Sequence, residues 1–292
     1  MLPGDNRAGG GAASSASRAS TAAVAAPFIV LIPARLGSTR LPDKPLADIA
    51  GKPMIVRVAE QASRSRATRV VVATDSVAVA DAVRQGGFEV VMTRDDHQSG
   101  TERLAEAACQ LALVDDAIVV NLQGDEPELP PALLDAVAQC LAQDDDCAMA
   151  TAAHAIDRVP DWFNPNVVKV VLDSRSRALY FSRAPIPFHR DALKAFPGET
   201  DGAWVHEAML KAAPLRHIGV YAYRGAFLKA YPRMGPAALE AIEALEQLRV
   251  LFNGFAIKVV VAAKAPAAGI DTPQDLAAVR LRFGKPAEPA SR

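Results

Sequence analysis

Between Phe28 and Leu46 the chain reads FIVLIPARLGSTRLPDKPL, and no other stretch restricts the fold as much. Its first five residues are a continuous apolar run rich in β-branched side chains and ended by Pro33, the pattern of a strand buried on both faces in a parallel sheet. Pro42 and Pro45 fix φ at their own positions and bias Leu41 and Lys44 toward extended geometry. Residues 34 to 45 are therefore expected to form a stiff loop, not a helix. Open α/β sheets bind ligands at such a strand's carboxyl end. The loop carries Arg35, Arg40 and Lys44 among Gly37, Ser38 and Thr39. Three cations beside small residues and exposed backbone N–H groups suit a polyphosphate. Taken singly, such residues are adequately explained as a solvated basic loop; their clustering directly after a buried strand shifts the balance toward a site. The loop is neither G-x-x-x-x-G-K-[ST] nor G-x-G-x-x-G, so the two commonest nucleotide fingerprints are absent from it.

Downstream of this loop, helices and strands alternate. A helix is expected after Gly51-Lys52-Pro53, with Met54, Val58, Ala59 and Ala62 on one stripe. Strands are expected over 69–74, 88–92 and 117–122, with helices over 77–85 and 102–114 and a cap at Gly86-Gly87. This alternation predicts an α/β fold with a doubly wound, mostly parallel, Rossmann-like sheet. From about Asp146 the rhythm changes. Strand-like runs over 147–154, 167–173, 179–182 and 217–223 have few helices between them and predict a mixed or antiparallel extension, read as an acceptor-binding and dimerisation arm over about 147–235. A helix over 237–252, a strand over 256–262 and a helix over 273–283 capped by Thr272 close the pattern. Residues 190–214 are expected to be loop with some helix.

Composition limits the partners. The net charge is −1 with pI near 6.5, which argues against a general nucleic-acid or membrane-surface binder, so any anion site must be local. No apolar run is long enough to span a membrane. Cys109, Cys140 and Cys147 lack a C-x-x-C pattern and read as small core residues in a reducing compartment. Residues 1–26, low in complexity and rich in Gly, Ala and Ser, read as a disordered leader, and 285–292 as a frayed tail, leaving one domain over 27–284.

Two acidic motifs complete the candidate chemistry. Asn121-Leu122-Gln123-Gly124-Asp125-Glu126-Pro127 follows the fourth strand, so Asp125 emerges at the same sheet edge as the basic loop. A carboxylate beside a triphosphate requires an intervening divalent cation, and Mg²⁺ typically takes one or two carboxylates with phosphate oxygens and water. Gly269-Ile270-Asp271-Thr272-Pro273 offers a second acid, because Thr272 with Asp275 already approximates a capping box and leaves Asp271 available. Ser99 and Glu102 form another S-x-x-E box in Asp96-His97-Gln98-Ser99-Gly100-Thr101-Glu102-Arg103. On the helix that contains Leu-Glu-Gln-Leu-Arg, Ala241, Leu245, Leu248 and Phe252 are expected to share an apolar arc, with Gln247 pointing away and Glu246 at its edge.

The first motif, I-P-A-R-x-x-S-T-R-L-P-x-K-P-L, resembles the signature of the sugar nucleotidyltransferases, and in particular the 3-deoxy-D-manno-octulosonate (Kdo) cytidylyltransferases. The likeness extends from about Phe28 to Phe283 through V-N-L-Q-G-D-E-P, Y-F-S-R-A-x-I-P, R-H-I-G-V-Y-A-Y, L-E-Q-L-R and G-I-D-T-P. It implies the reaction of CTP with Kdo to give CMP-Kdo and pyrophosphate, in a cytoplasmic homodimer serving lipopolysaccharide biosynthesis. The implied catalytic residues are Lys44, Asp125 and Asp271, the two aspartates holding Mg²⁺. Ala34, Arg35, Ser38, Thr39, Arg40, Lys44, Asp75, Ser99, Gly100 and Asp125 are implied for the nucleotide. Gln123, Arg183, His217, Tyr221, Glu246 and Gln247 are implied around the acidic sugar. One departure stands out: Asp43 occupies a position where the family usually has Gly, which adds a negative charge beside Lys44.

Overall fold

The computed structural model describes residues 26–37, 41–190 and 213–284. The leader, the tail, nearly all of the 190–214 segment and the positions of Ser38, Thr39 and Arg40 lie outside the described residues. The first strand, β1 (Phe28–Ala34), runs one residue past Pro33, because a proline near a strand's end removes one ladder bond but keeps an extended φ. The loop after it is free of α-helix where described and closes in a single 3₁₀ turn at Lys44–Leu46. A short hairpin, β2 (Asp48–Ile49) and β3 (Lys52–Pro53), leads to α1 (Met54–Ala62). The expected stripe of Met54, Val58, Ala59 and Ala62 is fully buried.

Next come β4 (Arg69–Thr74), α2 (Val77–Gln85), β5 (Glu89–Met92), α3 (Gly100–Gln110) and β6 (Ile118–Asn121). Gly87 ends α2 at φ 81°, with its N–H on Arg84 O and the Phe88 N–H on Val83 O, a left-handed cap that glycine adopts without steric cost. α3 begins two residues earlier than the periodicity suggests, because Ser99 accepts from the Glu102 N–H and so defines the helix start. The sequence reading did not include α4 (Pro131–Ala142), which buries Leu133, Leu134, Val137 and Leu141, nor the short helices at Val159–Phe163 and Gly225–Ala230.

The second half contains β7 (Cys147–Ala155), α5 (Val159–Phe163), β8 (Lys169–Leu172), β9 (Ala178–Ser182), β10 (Leu215–Arg224), α6 (Gly225–Ala230), α7 (Ala238–Glu243), α8 (Gln247–Phe252), β11 (Ala256–Ala262) and α9 (Pro273–Phe283). The expected helix over 237–252 is broken into α7 and α8 by Ala244, which sits in left-handed geometry at φ 50°, ψ 53°. The apolar arc inferred for an unbroken helix consequently fails. Gln247 is buried and Phe252 is exposed, because the two segments have different axes. Among the cysteines Cys147 is buried but Cys109 is exposed, so the small-core reading holds for one and not the other.

The sheet order is β11-β7-β10-β6-β1-β4-β5, with β8 and β9 attached beside β10. β4, β5 and β6 run parallel with β1, whereas β10 is antiparallel to both β6 and β7. From β1 the chain winds outward to β4 and β5, then returns through α3 to β6 on the other side. The switch point therefore lies between β1 and β6, where this topology opens a ligand crevice. Alternate residues of β1 face opposite layers: Val30 and Ile32 pack with α1 and α4, and Leu31 with α3. Among the described residues, no helix is long and apolar enough to cross a membrane.

Candidate active site

The loops after β1 and β6 meet over the switch point. A Cβ on Gly124 would lie 2.9 Å from Pro33 O, so glycine there permits the β6 loop to rest on the end of β1. The Ile270 N–H donates to Asp125 O at 2.9 Å and fastens the third loop to the second. The result is a junction of three segments remote in sequence. Lys44 Nζ lies 2.5 Å from Asp125 Oδ2 and 3.0 Å from Asp271 Oδ1. One positive centre thus already sits between the two carboxylates that the sequence singled out. The cap of α9 also behaves as expected: Thr272 and Asp275 satisfy each other's backbone N–H groups, and the Asp271 N–H donates to Asp275 Oδ2.

This junction opens into a cavity of about 420 Å³ lined by Ala34, Arg35, Lys44, Ser99, Gly100, Arg103, Asp125 and Asp271, among others. Asp75 lines neither cavity and is committed to a lining residue: Arg103 Nη2 donates to Asp75 Oδ2 at 2.6 Å, and Nη1 to Thr93 Oγ1 at 2.6 Å. The buried Arg103 is a cation of this cavity that sequence reasoning missed, although it ends the S-G-T-E-R motif. His97, also on the cavity wall, is paired with Glu106. Glu102 does not close a full box with Ser99, and reaches back instead to the Gln98 N–H.

A second cavity of about 310 Å³ adjoins the first and shares Gly100, Gln123 and Glu246 with it. Gln123, His217, Tyr221, Glu246 and Gln247, all implied for the sugar, line its wall. His217, Tyr221 and Tyr223 form a file of rings with centroids 5.4 Å and 6.0 Å apart. Burial drives the tyrosine hydroxyls well above their ordinary range, so they stay protonated as donors. Glu246 is exposed as a residue, yet its carboxylate reaches inward to accept from Thr101 Oγ1 at 3.0 Å, and burial raises its pKa. Tyr231, another lining residue absent from the sequence reading, has a buried hydroxyl without a hydrogen-bond partner among the described residues.

Arg183 is placed differently from the other five. Its guanidinium donates to the carbonyls of Glu243 at 2.6 Å, Pro165 at 2.9 Å and Ala244 at 3.3 Å, and it lines neither cavity. Its position secures the α7–α8 break, whose Ala244 and Leu245 form part of the second cavity.

The junction fits a magnesium ion on its own chemistry. Asp125 and Asp271 supply hard oxygen donors within reach of a single cation. No group of three or more ligating His, Cys, Asp or Glu side chains exists among the described residues, so most of an octahedron would come from phosphate and water. Beside Asp125, Glu126 Oε2 is buried without a hydrogen-bond partner among the described residues, and burial, then repulsion from Asp125, pushes its carboxyl pKa up to about 8. Glu126 is therefore largely protonated near neutral pH and adds no anion to the junction beyond the two aspartates.

Comparison with known proteins shows the family and the fold. Residues 29–259 match the cytidylyltransferase family. A 3-deoxy-manno-octulosonate cytidylyltransferase of Herminiimonas arsenicoxydans is 57% identical over 256 residues, covering 88% of this chain and 98% of its own. Among solved structures, a CMP:2-keto-3-deoxy-manno-octonic acid synthetase complexed with CTP superposes with a TM-score of 0.78 at 40% identity, over 88% of this chain and 98% of that one. A cytidylyltransferase from Leptospira borgpetersenii serovar Hardjo-bovis shares the fold with a TM-score of 0.50 at 16% identity, over 85% of this chain and 82% of that one.

Proposed function

The chain belongs to the cytidylyltransferase family, and from that premise we propose that it activates Kdo, converting CTP and Kdo to CMP-Kdo and pyrophosphate. The observation that carries this reading is the convergence of Lys44, Asp125 and Asp271 in the first cavity, which adjoins the second. The triphosphate lies in the first cavity against Arg35, Lys44 and the N-terminus of α3, and the sugar in the second. Ser38, Thr39 and Arg40 belong to the same phosphate-binding loop by their motif.

Among the described residues the second cavity is lined by no Lys or Arg. In a 2-keto acid sugar the carboxylate is attached to the anomeric carbon, next to the attacking hydroxyl. That carboxylate therefore faces the first cavity, with its Arg35, Lys44 and Arg103, and the remaining hydroxyls face Gln123, His217, Tyr221, Glu246 and Gln247. The anomeric oxygen attacks the α-phosphorus in line; the new O–P bond forms as the bond to pyrophosphate breaks. Arg35 and Lys44 offset charge that builds on the departing pyrophosphate. Asp125 and Asp271 would hold magnesium, which when bound would supply Lewis-acid polarisation of the phosphate and lower the pKa of the attacking hydroxyl.

The product serves lipopolysaccharide assembly in the cytoplasm, as in the family the sequence resembles. We place one nucleotidyltransferase domain over 27–284, with an acceptor and dimerisation region over about 147–235. Exposed Leu179, Phe188 and Ile242 support a homodimer through the antiparallel half, which sedimentation measures. The function is tested by pyrophosphate release with CTP, Mg²⁺ and Kdo, set against hexose 1-phosphates. Release with the phosphorylated hexoses and not with Kdo overturns the reading.

A further inference from the structure

His217 is on the wall of the second cavity, and what an imidazole offers a ligand depends on which nitrogen carries its proton. The backbone around it is irregular. Ile218 pairs with Ala152 and Tyr221 with Thr151, so Gly219 and Val220 form a bulge opposite consecutive residues of β7. Thr151, fully buried, fills that bulge. Its Oγ1 stands 2.8 Å from Val220 O, 3.2 Å from Ile218 O and 2.9 Å from His217 Nε2.

A threonine hydroxyl has one proton to give and lone pairs to accept with. Both carbonyls can only accept, so the hydroxyl proton goes to them. Were it given to the ring instead, two oxygens 2.8 Å apart would face each other with no proton between them. Nε2 therefore carries the ring proton and donates to Thr151, which leaves Nδ1 bare. Phe181, edge-on at 5.1 Å, and Tyr221 at 5.4 Å hold the ring in place. Burial pushes the imidazole pKa down to about 3, so the ring is neutral in ordinary buffers.

We propose that Thr151 is a positioning residue that locks His217 in its Nε2–H tautomer, so that Nδ1 meets the acceptor as a hydrogen-bond acceptor and selects a sugar hydroxyl over an anionic oxygen at that wall. The identity of the acceptor rests on the function proposed above; the tautomer rests on the bulge alone. The ring is read in the full-length protein labelled with ¹⁵N-histidine, by long-range proton–nitrogen correlation, with the His217 signal identified through its loss in His217→Gln. The expected result is a protonated Nε2 and bare Nδ1 in the parent and in Thr151→Ser, and a mixed or reversed tautomer in Thr151→Val. Loss of one hydrogen bond at the wall raises the KM for Kdo about tenfold in Thr151→Val, with the KM for CTP unchanged and Thr151→Ser restored. A parent ring protonated at Nδ1, or a Thr151→Val variant with the parental tautomer, overturns the proposal even if its KM rises. A parent that makes no CMP-Kdo refutes the functional reading, and the ring signals still decide the tautomer.

Discussion

The two adjoining cavities are built by opposite means. On the nucleotide side the key groups sit on loops that leave parallel strands β1 and β6, and their position follows from the strand ends and from Gly124 lying on Pro33. On the acceptor side they sit within the antiparallel strand β10 and on the short helix α8, positioned by a bulge and by the left-handed Ala244. The first cavity is lined by Arg35, Lys44 and Arg103, whereas the second, among the described residues, has neither Lys nor Arg and relies on rings, amides and hydroxyls. One half handles charge with short, rigid loops. The other presents rings, amides and hydroxyls on irregular secondary structure.

The sharpest way to break that contrast is at the charged junction. Asp125→Asn keeps the side-chain volume and removes the charge beside Lys44. Turnover is expected to fall about a thousandfold while thermal unfolding changes little, since the lost interaction is one of electrostatic stabilisation in the transition state. Pyrophosphate release within tenfold of the parent would remove the junction from the chemistry.

On the acceptor side the matching test concerns stability. Lys169 is fully buried in β8, and its Nζ donates to the carbonyls of Asn164, Val167 and Arg183 at 3.0, 2.6 and 2.6 Å. The three protons of an ammonium match three acceptors. Lys169→Met fills similar space but leaves those carbonyls without a donor, and is expected to cost about 3 kcal/mol in denaturant unfolding. A loss below about 1 kcal/mol would mean that the loop between α5 and β8 and the end of β9 do not depend on this contact.

The same contrast explains what was legible in the sequence. The loop after β1, Asp125 and Asp271 were readable because each belongs to a contiguous motif directly attached to a strand or helix end, where position in sequence nearly fixes position in space. Arg103 was missed because its partner, Asp75, is 28 residues away on another strand's loop. The helix over 237–252 was misread because no glycine marks Ala244, and the break is secured by Arg183, whose distance in sequence leaves no local signal. Thr151 and Tyr231 belong to no motif that singles them out. Their polar atoms acquire meaning only once β7 lies beside β10 and α3 beside the turn after α6.

Acid sharpens the comparison further. With its folded pKa near 3, His217 stays neutral while the unfolded ring takes up a proton below about 6.5. Over that window the unfolded chain binds more protons, so stability falls as the pH falls. Between pH 6.5 and 5.0 this group alone contributes a loss of roughly 2 kcal/mol. His217→Asn, which cannot protonate, is expected to lose about that much less over the same interval in urea titrations. Equal slopes in parent and variant would show that the ring is charged in the folded state.

The smallest expected effect lies on the nucleotide side, at the departure from the family pattern. Asp43 precedes the Lys44 turn with φ 52°, ψ 29°, the left-handed region that glycine enters freely and aspartate enters at modest cost. The geometry accounts for glycine being usual here, and shows that this chain keeps the same turn with a different residue. Asp43→Gly relieves the backbone but gives the unfolded chain more freedom, two opposed contributions of about 1 kcal/mol each. Its thermal midpoint is expected within about 2 °C of the parent. Asp43→Ala places in the left-handed region a residue type that enters it less readily than aspartate, and is expected to unfold some degrees lower. Both variants remove the same exposed negative charge next to Lys44, so both are expected to lower the KM for CTP about twofold, an effect that added salt erases. If only one of them changes the KM, the turn's geometry, not its charge, governs how Lys44 meets phosphate.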